Sequence, residues 1–173
     1  MNHESLLMGA SVESKTRIKG IINVLLIILG IGFIALLFLF RGSMNNLISK
    51  KMAEQAGAKT KKTMAQVLDS AYNYQKNGKV YKITFLEFGA TGCISCRKME
   101  LVMKEVREKY QQTVNVKFYN VLLPENQEFM KYYGVAAIPT QVLLDNSGKE
   151  IFRHTGYYSF DELEQEFKKS NLL

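Results

Sequence analysis

The only two cysteines of this 173-residue chain, Cys93 and Cys96, stand three residues apart. They follow an apolar, aromatic run, Ile83-Thr84-Phe85-Leu86-Glu87-Phe88, that ends in Gly89 and Gly92. A stretch with helical periodicity comes next, so a strand, a tight turn and a helix set Cys93 at a helix N-terminus. Three helical residues turn through about 300°, which leaves both thiols on one side with Cα atoms within the span of a disulfide. Such a pair opens and closes without moving the backbone far, as dithiol–disulfide chemistry requires. The free N–H groups and dipole of a first helical turn favour a thiolate on Cys93, and Arg97 and Lys98 add positive charge nearby. Cys96, one turn in, is expected to be more buried and less ionised. Cys93 is therefore the expected nucleophile and Cys96 the resolving thiol. A purely structural bridge of this spacing closes a tiny loop and removes little entropy from the unfolded chain.

A resolving thiol needs an acceptor for its proton. Glu87 lies six residues before Cys93 in a strand whose neighbours Phe85, Leu86 and Phe88 read as buried. A carboxyl there is desolvated, its pKa rises, and it suits a general base. The competing reading turns Glu87 to solvent at the strand edge. Ile138-Pro139-Thr140 is the second informative group. Proline at the mouth of a strand can simply start it; a cis peptide would instead leave backbone groups free to pair with an extended substrate.

These residues need a scaffold. Met64, Val67, Leu68, Ala71 and Tyr72 recur at helical spacing, predicting an amphipathic helix that ends near Asn77-Gly78. Strands are expected over 81–88, 114–121, 140–144 and 149–155, the last two joined as a hairpin by Asp145-Asn146-Ser147-Gly148. Helices are expected over 93–110, from Pro124 to Tyr132, and over 160–169, the last opened by a Ser159/Glu162 capping box. The order α-β-α-β-α-β-β-α predicts an α/β domain, a mixed four- to five-stranded sheet with helices on both faces.

From about residue 63 onward the chain resembles the thioredoxin family. The resemblance rests on Leu86-Glu87-Phe88, Cys93-Ile94-Ser95-Cys96-Arg97, Tyr133-Gly134-Val135, Ile138-Pro139-Thr140, Asn146-Ser147-Gly148-Lys149 and Gly156, in that order. It implies a thioredoxin-like fold, a cis Pro139 against the cysteine pair, and Glu87 in place of the family's buried acid. It also implies that Lys117, on the adjacent strand, lies near Glu87. Protein thiols and disulfides are the implied substrates, met by Pro139, Ile138, Ile94 and Ser95, and no cofactor or metal is called for. Gly89 and Gly92 stand where the family usually carries tryptophans, and Ile94-Ser95 replaces its usual Gly-Pro.

The net charge of +7 is unevenly placed. Residues 1–62 carry nine basic and three acidic side chains, whereas residues 63–173 carry fourteen and thirteen. The excess thus flanks an apolar run over residues 21–40, which has no charge and whose only strongly polar side chain is Asn23. As a helix that run is about 30 Å long, the thickness of a bilayer core, and predicts a single-pass anchor in contact with lipid. A cleaved signal peptide is the alternative, although the run is long for one. The organisation expected is a polar tail over 1–20, the anchor over 21–40, a juxtamembrane stalk over 41–62 and the domain over 63–173. Lys15, Arg17 and Lys19 precede the span and Arg41, Lys50, Lys51 and Lys59 follow it, a count that favours the domain inside. The functional expectation is the reverse: an extracytoplasmic domain at the cell membrane, confined beside a membrane-borne electron donor. The domain lacks a basic stripe with stacking aromatics, so nucleic acid is not an expected partner. Two rivals stay open: a thioredoxin-fold binding module with inert cysteines, and a metal-binding dithiol, for which His3 and His154 are the only histidines.

Overall fold

A computed structural model of the chain describes the backbone of residues 3–170, with side chains described for all of these except 3–21, 38, 40–43, 46 and 59. The chain forms two compact units, Met1–Arg41 and Gly42–Leu173. Helix α1 is assigned over His3–Gln55 and so contributes to both. In the first unit its apolar side chains over residues 22–37, among them Leu29 and Phe33, are exposed. Among the described residues no helix is long and apolar enough to cross a membrane. The side chains of Ile21, Phe38 and Phe40, part of the run read as an anchor, lie outside those described.

The second unit is built on β1 (Ile83–Gly89), every residue of which is buried. It pairs in parallel with β2 (Val114–Asn120) and antiparallel with β3 (Thr140–Leu144), and β3 pairs antiparallel with β4 (Glu150–Thr155). The sheet is therefore four-stranded, in the order β2-β1-β3-β4. Alternate β1 side chains serve opposite faces, as strand geometry dictates. Ile83 and Phe85 pack under Met99, Val102, Met103 and Val106 of α4 (Ile94–Lys109) and under Leu163 and Phe167 of α6 (Phe160–Lys169). Leu86 and Phe88 pack on the other face with Leu68 and Tyr72 of α2 (Ala58–Tyr72), Tyr74 of the short α3 (Tyr74–Asn77), and Phe129 and Met130 of α5 (Gln127–Tyr132). Full burial of each such side chain contributes roughly 1.5–3 kcal/mol, so the central strand anchors both layers.

Local chemistry sets the element ends. The Ser159/Glu162 capping box opens α6 as its spacing predicts. Gly148 turns the β3–β4 hairpin at φ 82°, with Asp145 Oδ1 accepting from the Ser147 and Lys149 N–H groups. The helix that periodicity extends to Asn77 is broken at Asn73. There the Tyr74 N–H donates to the Asn146 carbonyl at 2.8 Å instead of continuing the helical ladder. A short 3₁₀ turn, Pro124–Asn126, precedes α5 where the sequence predicts one helix.

The segment read as a juxtamembrane stalk or helix is helical to Gln55 and again from Ala58, and part of it packs within the second unit. Ser49 and Ala56 are buried. With Ala53 one turn after Ser49, small side chains let the end of α1 approach closely. It meets Gly134, whose φ of 59° suits glycine and where a Cβ would run into the Ser49 carbonyl. Gly134→Ala is therefore expected to cost about 1–3 kcal/mol in urea denaturation of the full chain. Gly78→Ala, with a similar φ of 73° but open space around it, should cost clearly less. Equal losses would mean that α1 does not bear on Gly134.

Candidate active site

The chain leaves β1 through Ala90-Thr91-Gly92, with the Cys93 N–H donating to the Ala90 carbonyl at 3.4 Å. Gly92 sits at φ 89° in the third position of this turn, where a side chain would strain the backbone. The turn delivers Cys93 as the N-cap of α4 in extended conformation, and Cys93 Sγ accepts the Cys96 N–H at 3.2 Å. The helix thus begins one residue later than the sequence predicts, and the sulfur itself does the capping. Cys93 and Cys96 are joined as a disulfide, with Cα atoms 5.2 Å apart. Cys93 is half-buried and Cys96 only 2% exposed, so Cys93 is the more accessible of the two.

Glu87 lies on the same face of the sheet. Gly89, two residues on, points its missing side chain at Cys96, whose Cβ and Sγ would both be 3.4 Å from a Cβ there. Phe118 of β2 takes up much of that space, 2.9 Å from the same point, so Gly89 is fixed by close approach. Residues two apart on a strand share a face about 7 Å apart, which puts the Glu87 carboxyl in the layer beneath Cys96. It is fully buried, and burial pushes its pKa up from 4.5 to about 8, opposed by a hydrogen bond from Gln141.

Lys117 does not join it. Lys117 pairs in register with Leu86, and Phe118 with Glu87, so Lys117 belongs to the opposite face and is exposed. The partner that sequence reasoning misses is Gln141 of β3, in register with Glu87 and donating Nε2–H to its Oε2 at 3.1 Å. A polar side chain beside the apolar run Val142-Leu143-Leu144 carries the same signal as Glu87. Only the β1–β3 register brings the two together.

The Ile138–Pro139 peptide is cis. Phe88 pairs with Thr140, so the register extended by one residue sets the buried Pro139 opposite Gly89, beside the start of α4. The Pro139 carbonyl accepts the Gly156 N–H at 2.8 Å. Ile94 is 68% exposed and Ser95 half-buried, both beside Cys93. Ile138 turns its side chain into the cluster on the other face, so only its backbone borders the site. His154 is half-buried with its ring 4.4 Å from that of Tyr158, and His3 lies outside the described side chains. Among the described residues no three His, Cys, Asp or Glu side chains converge as a metal would require.

Because burial raises the Glu87 pKa, the folded chain keeps a proton between about pH 4.5 and 8 that the unfolded chain has released. Stability must therefore fall as pH rises through that window, by up to about 1.4 kcal/mol per pH unit. Glu87→Gln is expected to flatten this slope, matching the wild type near pH 4 and exceeding it at pH 8 in urea denaturation of the disulfide form. Parallel stability curves would show that Glu87 holds no such proton.

The family model of the thioredoxin-like domain matches residues 69–171, more than half of the chain. Thioredoxin H2-2 of Oryza sativa subsp. japonica is 33% identical over 84 residues, 49% of this chain and 59% of that protein. The thiol-disulfide oxidoreductase ResA of Bacillus thuringiensis subsp. konkukian is 31% identical over 109 residues, 51% of this chain and 63% of that protein. The chain thus spans about six-tenths of the length of these relatives. Among solved structures, thioredoxin NaTrxh from Nicotiana alata is 32% identical with a TM-score of 0.49, over 62% of this chain and 84% of that one. With its matching domain, its four-stranded mixed sheet and its bridged Cys93–Cys96 pair, the chain belongs to the thioredoxin-like family.

Proposed function

We propose that the chain is a membrane-tethered thiol–disulfide oxidoreductase that reduces disulfides of protein substrates. The observation that carries this reading is the bridged pair at the start of α4, half-buried at Cys93 and buried at Cys96, with a protonatable carboxyl beneath it. A relative named as a thiol-disulfide oxidoreductase supports it.

In the forward direction the Cys93 thiolate, favoured by the N–H groups of the first helical turn, attacks one sulfur of a substrate disulfide. The other substrate sulfur leaves as a thiolate and takes a proton from solvent. Cys96 passes its proton to the Glu87 carboxylate and attacks Cys93 Sγ, which forms the Cys93–Cys96 bridge and releases the second substrate sulfur as a thiolate that takes a proton from solvent. Two electrons have then passed from the dithiol to the substrate. A membrane-borne dithiol donor restores the starting state by the reverse steps, with Glu87 returning its proton to Cys96. Burial raises the Glu87 carboxyl to about 8, out of the ordinary carboxylate range and toward that of thiols, which suits a group that both takes and returns a proton. Pro139, Ile94 and Ser95 border the sulfur and shape the groove for an extended substrate segment.

Residues 21–40 serve in this reading as a single-pass anchor in lipid. Twenty residues without a charge, and exposed apolar side chains from Ile22 to Leu37, support it. The domain is placed on the extracytoplasmic side, where confinement beside a membrane donor gives the anchor a purpose.

Cys96→Ser is the direct test. In cells it should trap disulfide-linked partners through Cys93, in the membrane fraction, and a membrane-impermeant maleimide should reach free Cys93 from outside. A variant that traps nothing, beside a wild type that reduces no test disulfide, would leave a binding module. Labelling only after permeabilisation would reverse the orientation.

A further inference from the structure

The chemistry proposed above asks Glu87 to alternate between carboxylate and carboxylic acid within a buried layer. A buried group is stabilised in each state only if it has a suitable partner in that state. The surroundings of Glu87 supply one candidate. In the transverse row of the sheet that contains it, β2 contributes Phe118, β3 contributes Gln141 and β4 contributes His154. From α4, Cys93 and Cys96 share its face, bridged and without a titrating proton in this state. Tyr158 lies on the same face beside His154, and α6 turns the apolar Leu163 and Phe167 to it. Lys117 faces away. Gln141 is fully buried and, among the described residues, is the hydrogen-bond partner of the Glu87 carboxyl.

The amide of Gln141 has both kinds of atom on one rotor. Nε2 donates to Glu87 Oε2, while Gln141 Oε1 and Glu87 Oε1 are buried and have no hydrogen-bond partner among the described residues. Half a turn about the terminal side-chain torsion exchanges the amide oxygen and nitrogen, and that torsion is soft and roughly two-fold. A lysine in this place could serve only the carboxylate, and a leucine could serve neither state.

We propose that Gln141 is a positioning residue that serves Glu87 in both protonation states, donating Nε2–H to the carboxylate and, after a half-turn, accepting the carboxylic O–H on Oε1. This inference rests on the proton role assigned to Glu87. Only a proton moves in that step, from Cys96 Sγ to a Glu87 oxygen, and the amide rotation follows it without making or breaking a covalent bond. Gln141 thus keeps the two states of Glu87 close in free energy, which a group that both gives and takes a proton in one cycle requires.

The experiment is an infrared pH titration of the full chain in its disulfide form. The carboxyl C=O band of protonated Glu87 is assigned by its loss in Glu87→Gln. In Gln141→Leu the carboxylate loses a charge-assisted hydrogen bond and the acid only a weaker neutral one; from that difference the ionised fraction at neutral pH is expected to fall about tenfold and the midpoint to rise by about one pH unit. The band of the protonated form should also move to higher wavenumber, because its O–H has lost an acceptor. Gln141→Met, unbranched and of similar length, replaces Gln141→Leu if the latter does not fold. An unchanged midpoint in a folded variant overturns the proposal. A raised midpoint with an unmoved band also overturns it, since Gln141 would then serve the carboxylate alone. The titration needs no turnover, so a chain that fails to exchange disulfides would sink the functional reading while the role of Gln141 could still be measured.

Discussion

The Cys96 N–H that donates to Cys93 Sγ at 3.2 Å closes the first turn of α4 on the atom that carries the chemistry. Helix N-termini leave several N–H groups without partners, and a serine or aspartate oxygen usually meets one of them. Here a sulfur does so, so the geometry that starts the helix and the geometry that favours a thiolate are the same. The rest of the unit follows from holding that sulfur in place. Gly92 makes the turn, and Gly89 admits Phe118 and Cys96 to the strand surface. The two apolar layers on β1 then fix the strand from which the turn departs.

Burying Glu87 works against that stability. An ionised carboxyl in such a layer costs several kcal/mol, and the chain avoids most of that cost by letting the group hold its proton near neutral pH. The strand tolerates this because Ile83, Phe85, Leu86 and Phe88 are fully buried around it. The group that weakens the fold at high pH is the one to which the proposed mechanism gives the proton, one layer below a thiol. Gln141 moderates the penalty by offering the charged form a hydrogen bond.

Much of this is legible in the residues, because local patterns carry it. The Cys-x-x-Cys spacing, the β-branched strands, the Asn146-Ser147-Gly148 turn and the Ser159/Glu162 box each specify structure within a few positions. The burial of Glu87 follows from its apolar neighbours. What depends on register or on contacts distant in sequence is not legible. The family resemblance sets Lys117 beside Glu87, yet strand pairing places it one residue out of phase, which in a sheet means the other face. Gln141 escapes notice for the same reason. The polar composition of residues 43–62 reads as a stalk or juxtamembrane helix, while the backbone of Ser49 and Ala53 closes on Gly134, some eighty residues away. The break at Asn73 likewise depends on Asn146 in a distant hairpin.

The central claim is that Cys93 and Cys96 cycle as one two-electron couple. The direct measurement is to equilibrate the full chain across glutathione redox buffers, extended with dithiothreitol, and to count alkylated cysteines by mass. The prediction is a single transition in which both thiols appear together, with no stable singly alkylated species. Cysteines that stay bridged or stay free across the whole range, or that react independently of each other, would contradict it.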